Sequence, residues 1–134
     1  MNYAITLRMT DSEEIESRLQ PILGYYLNWG PNKEFLLLDI DATGEVGNSL
    51  TQQMNEQKNG FSITAANLAA LISDNGQIFE FDLLVRSAHE VRIFVRDGNI
   101  IDLVGDKEAI PLAVVGEYEE LDIRLFKTEH NGSR

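Results

Sequence analysis

The stretch QIFEFDLLVRSAHEVRIFVRDGNIIDLV, residues 77–104, decides the fold. It contains three strand-like runs, at 77–86, 90–97 and 99–104, separated by short polar turns. The last two meet at Asp97-Gly98-Asn99, where an Asp-Gly pair predicts a tight hairpin. In the middle run Val91, Ile93 and Val95 alternate with Arg92 and Arg96, a period of two that buries one face and leaves the other wet. Runs joined this tightly pair antiparallel, since a parallel crossover takes a dozen or more residues.

Upstream, Tyr3, Ile5 and Leu7 alternate with Ala4, Thr6 and Arg8, which predicts a first strand over residues 3–8. Thr10 and Asp11, each followed three residues later by a glutamate, offer two registers of a capping box for a helix carrying Ile15, Leu19, Ile22, Leu23 and Tyr26. Pro21 is expected to kink or divide that helix. Residues 34–41, apolar throughout at Phe35-Leu36-Leu37-Leu38, read as a strand buried on both faces. Residues 43–60 are polar and Gly-punctuated and read as a mobile or functional loop, with Leu50 and Met54 giving one weak helical repeat that allows a helical turn. A helix is expected over 64–74, with Leu68, Leu71 and Ile72 inward and Gly76 as its left-handed stop. A final strand is expected over 121–127, then a flexible tail over 128–134. Strands and helices in this order predict an α+β fold: one domain over residues 1–134, mainly an antiparallel curved sheet with two or three helices packed on one face.

The 134 residues carry 22 Asp and Glu against 11 Lys and Arg, a net charge of -11, and no cysteine. So negative a surface repels phosphate backbones and anionic lipid and draws basic proteins, so nucleic acid and membrane are not the expected partners. Without cysteine there is neither a disulfide framework nor a thiolate metal site, and residues 1–8 lack a signal-peptide pattern; both point to the cytoplasm.

Catalytic signatures are sparse. There is no G-x-S-x-G, no dinucleotide or Walker glycine pattern, and His89 falls at a hairpin turn where a solvated histidine is expected. The segment Leu37-Leu38-Asp39-Ile40-Asp41-Ala42-Thr43 resembles the first motif of haloacid dehalogenase phosphatases, D-x-D-x-T after an apolar strand. That resemblance implies a magnesium-dependent hydrolase on a parallel βα framework, with Asp39 as nucleophile and Asp41 as general acid and base. Gly44 departs from it, and the hairpins of the second half do not suit it. As a calcium loop the same residues fail at the twelfth position, Leu50, where a bidentate Glu is required. The expected reading is therefore a strand leaving the sheet through an Asx turn, with no catalytic residue, no metal site and no cofactor.

Two clusters suit protein binding. Tyr25 and Trp29 lie where the first helix ends in a Gly-Pro loop, and Tyr and Trp are enriched at interface hot spots. Glu117, Tyr118, Glu119 and Glu120 form an acidic turn around one aromatic. The expectation is an acidic cytosolic module that neutralises a basic protein, such as an immunity protein facing a cationic nuclease toxin. The alternatives are the phosphatase-like hydrolase built on Asp39 and Asp41, and a small-ligand-binding domain with its pocket between the sheet and the 64–74 helix.

Overall fold

A computed structural model describes residues 2–10, 14–74 and 76–122. In chain order these form β1 (Asn2–Arg8), α1 (Ile15–Leu27), β2 (Glu34–Ala42), α2 (Glu45–Glu56), β3 (Phe61–Ile63), α3 (Ala65–Ser73), β4 (Ile78–Arg86), β5 (Glu90–Arg96) and β6 (Ile100–Asp106). A 3-10 turn at Lys107–Ala109, α4 (Leu112–Val115) and β7 (Glu119–Glu120) follow. All the strands join one curved, open antiparallel sheet in the order β3-β2-β4-β5-β6-β1-β7. The domain is α+β as expected, with four helices among the described residues where two or three were expected.

The hairpin at Asp97-Gly98 forms with both residues at positive φ, 58° and 70°, the backbone a right-twisted two-strand ribbon demands. Residues directly opposite in an antiparallel pair share a face, so the registers sort the sheet into two sides. Phe81, Val95, Ile101 and Leu7 make one inward row, and Leu83, Ile93, Leu103 and Ile5 the next. These rows are buried in one cluster with Leu19, Ile22, Leu23 and Tyr26 of α1, Leu50 and Met54 of α2, Leu68 and Leu71 of α3, and Val115. At roughly 1.5 to 3 kcal/mol per fully buried side chain, this helical side carries the driving force for folding.

Several expectations are corrected. Pro21 lies inside a continuous α1; its ring removes one backbone hydrogen bond on the exposed side, which burial of five apolar residues outweighs. The helix starts after Glu14, whose side chain makes no cap hydrogen bond, so neither Thr10 nor Asp11 is the cap; residues 11–13 lie outside the described residues. Strand β2 is buried on one face only: Phe35, Leu37 and Ile40 point inward, whereas Leu36 and Leu38 are half-buried on the other side. Of the expected strand at 121–127 only residues 121 and 122 are described; Leu121 donates its N–H to Ala4 O at 2.9 Å, and pairing with β1 already begins at Glu119. The expected tail lies outside the described residues.

The largest correction concerns residues 43–60, which hold the twelve-residue helix α2. Its first turn is capped from a distance: Asp74 Oδ2 accepts the N–H groups of Val46 (3.0 Å) and Gly47 (3.1 Å), placing a carboxylate at the positive end of the helix. Leu50 and Met54 then anchor it on β2. Helix α3 is capped by Thr64 Oγ1 and ends at Asp74 in extended backbone. Gly76 is therefore not its left-handed stop. A Cβ there would lie 1.8 Å from Thr43 O, so glycine is required because two backbones touch.

Candidate functional site

The sheet side opposite the helices carries a charged array. One cross-strand row runs Asp39, Asp82, Phe94, Asp102, Thr6 and Glu119, each opposite the next across adjacent strands. Arg92 forks onto Asp82, its Nε donating to Oδ1 at 3.2 Å and its Nη2 to Oδ2 at 2.7 Å, and lies 4.5 Å above the Phe94 ring. Arg96 Nε donates to Asp102 Oδ2. The period-two pattern places these arginines on the wet face, yet each is folded down over a buried aspartate, Asp82 at 2% and Asp102 at 0% exposure. A buried carboxylate persists in this way only when a guanidinium supplies both charge and donors.

Acid gathers at both ends of this face. At one end Asp39, Asp41 and Glu80 stand together on β2 and β4, directly paired at Asp41 and Glu80. Burial, and after it the charges of Asp39, Asp41 and Asp97, raise the Glu80 carboxyl above its ordinary value. At the other end a recess of about 180 Å³ opens between β1 and β7, lined by Thr6, Arg8, Glu117, Tyr118 and Glu119. Glu119 lies 3.6 Å from Arg8 Nε. Thr6, which lines the recess, and Asp102, opposite Thr6 in the register, each hold a buried side-chain oxygen with no hydrogen-bond partner, Oγ1 and Oδ1, on residues at 1% and 0% exposure.

The acidic turn expected from the sequence is split. Glu117, Tyr118 and Glu119 border the recess on the outer side, whereas Glu120 turns to the inner side and accepts from Tyr3 Oη at 2.9 Å. Tyr25 and Trp29 belong to the helical side and are not brought to these acids. Each is set edge-on to Tyr26, with ring centroids 5.1 Å apart in both pairs. Tyr26 is buried and donates to Ala109 O at 2.8 Å, so Trp29, half-buried against it, is tied to the core, while Tyr25 is 36% exposed.

The other motifs resolve differently. Asp39 and Asp41 share the outer face as the i, i+2 spacing requires. The chain leaves β2 through Thr43, whose Oγ1 accepts from Gln77 N–H at 2.9 Å, and Thr51, whose Oγ1 accepts from Ala42 N–H at 3.1 Å. Two threonines thus make the turn assigned to an aspartate. The sheet pairs antiparallel throughout, so the parallel βα framework that the D-x-D-x-T resemblance implies is absent. Among the described residues no three His, Asp or Glu side chains converge to hold a metal ion. His89 is not simply solvated: its Nδ1 lies 2.7 Å from Asp106 Oδ2 and holds that carboxyl below its usual range. The space between α1, α3 and the sheet, where the alternative of a small-ligand-binding domain would place its pocket, is about 10 Å³, room for one water.

No family model, curated protein or solved structure matches this chain. Among the described residues no helix is long and apolar enough to cross a membrane. Asp82 and Asp102 are functional candidates with a signal in the sequence: each is an aspartate inside an apolar run, FDLLV or IIDLV, at a strand position whose neighbours carry Arg92 and Arg96, whereas nothing in the alternation of residues 3–8 distinguishes Thr6.

Proposed function

We propose that the chain is a non-enzymatic cytoplasmic binding module that neutralises a basic protein, with an immunity-type inhibitor of a cationic nuclease toxin as its concrete form. The observation that carries this reading is the open sheet face, which the helices leave uncovered and which is acidic at both ends. An antiparallel sheet is stable with one face on its core and the other carrying polar groups, and here the acids at the two ends, Asp41 and Glu80 at one and Glu117 and Glu119 at the other, are exposed. Its charge favours a cationic partner: the Glu80 carboxyl is raised first by burial and then by the charges of Asp39, Asp41 and Asp97, and a positive group beside these acids would offset the second cause. Complementary charge of this kind governs encounter more than residence.

The test is to isolate the protein that co-purifies with this chain from its own cells and to measure their association after purification. A basic partner with a salt-sensitive association rate supports the reading. A neutral or acidic partner, or association indifferent to salt, overturns it.

A further inference from the structure

We propose that Phe79 is the point at which the basic partner is held, with an arginine of that partner lying across its ring. This rests on the reading of a basic protein partner and adds which side chain grips it and which group is gripped. In β4, Ile78 pairs with Ala42 and Glu80 with Asp41, so Phe79 between them is an extra residue with no partner across the ladder. Such a bulge re-aims a side chain that regular pleating would turn elsewhere. Phe79 is 43% exposed, more than any other large hydrophobic side chain among the described residues.

The same sheet shows what a phenylalanine beside a carboxylate takes. Phe94, opposite Asp82 in the register, lies under the Arg92 guanidinium, 4.5 Å from its ring centre, while that guanidinium forks onto Asp82; the ring is 5% exposed. Phe79 has the carboxylates without the arginine. Glu80 follows it, Asp41 stands across from Glu80, and the charges acting on Glu80, from Asp39, Asp41 and Asp97, are all negative. Among the described residues no ring and no cation is stacked on Phe79. A guanidinium from outside meets both needs, since its plane stacks on a ring while its N–H fork engages a carboxylate. An ammonium carries the charge but has no flat face to stack.

The probe is N-acetyl-arginine amide, titrated against the intact chain at low salt while the ring protons of Phe79 and the δ-methylene of the arginine are followed by NMR. Saturable upfield shifts of the methylene and a nuclear Overhauser contact to the Phe79 ring are expected. N-acetyl-citrulline amide, which keeps the shape without the charge, should not bind, and N-acetyl-lysine amide should bind more weakly. Phe79→Leu keeps an apolar side chain but loses the ring, and should weaken the arginine probe about two- to fivefold, the loss expected for an exposed cation–π contact. Phe79→Tyr should restore it. With the purified basic partner, Phe79→Leu should speed dissociation by at least as much and leave association unchanged. The proposal is overturned if the arginine probe leaves Phe79 unmoved, if the citrulline probe binds as well, or if Phe79→Leu binds arginine as tightly as wild type. A basic partner with salt-sensitive association whose dissociation ignores Phe79→Leu would sink the arginine contact and leave the partner reading standing. A saturable arginine site on Phe79 in a chain whose true partner is acidic would do the reverse.

Discussion

Thr6 and Glu80 are residues at which the free protein holds less stability than its fold allows. The Thr6 hydroxyl is buried without a partner, and replacing it by a methyl of the same shape removes a desolvated polar group. Thr6→Val should therefore raise the unfolding free energy by about 1 kcal/mol or more in chemical denaturation. A loss of stability would mean that the hydroxyl is satisfied in solution. Glu80 gives a prediction in pH. Its folded-state pKa is raised, so its stabilising contribution is fully present below the unfolded pKa and is lost as pH rises through the folded value. Glu80→Gln cannot ionise and should melt higher than wild type at neutral pH. That advantage should fade as pH falls below the ordinary carboxylate value of about 4.3, and a gap equally large in acid would show that ionisation of Glu80 is not its cause.

Helix α2 shows why elements differed in legibility. The strands at β4, β5 and β6 were readable because alternation, an Asp-Gly turn and short spacing are local signals, and α1 because five apolar residues repeat at helical spacing. Residues 43–60 offered only Leu50 and Met54, since the group that starts the helix, Asp74, lies 28 residues beyond Val46. A cap supplied through tertiary structure leaves no trace at the helix itself. Removing it with Asp74→Ala should lower stability by about 0.5 to 2 kcal/mol, the range for a lost N-terminal cap, with α2 the first element to lose protection. In the wild type, hydrogen exchange at Leu50 to Met54 should be slow, comparable with β4 and β5. Fast exchange there would restore the mobile loop expected from composition. The candidate site was less legible than the fold. The acidic turn at Glu117 to Glu120 could be seen in the sequence, but the recess forms only because β7 pairs with β1 and brings Glu119 opposite Thr6, which lies far away along the chain.

On the scale of the whole molecule, the helices close one face of the sheet and leave the other as a charged surface, acidic at both ends and pinned in its middle by Arg92 and Arg96. With a net charge of -11, such a surface should raise the rate of encounter with a cationic protein by roughly 10 to 1,000-fold at low salt, an effect that screening removes as ions are added. The most direct measurement is the association rate of the purified pair across a salt series, for wild type and for Glu117→Gln combined with Glu119→Gln. Association should slow steeply with salt while dissociation changes little, and the double substitution should slow association at low salt and flatten its salt dependence. A partner of neutral or negative charge, or an association rate that neither salt nor these substitutions alter, would contradict the basic-partner reading.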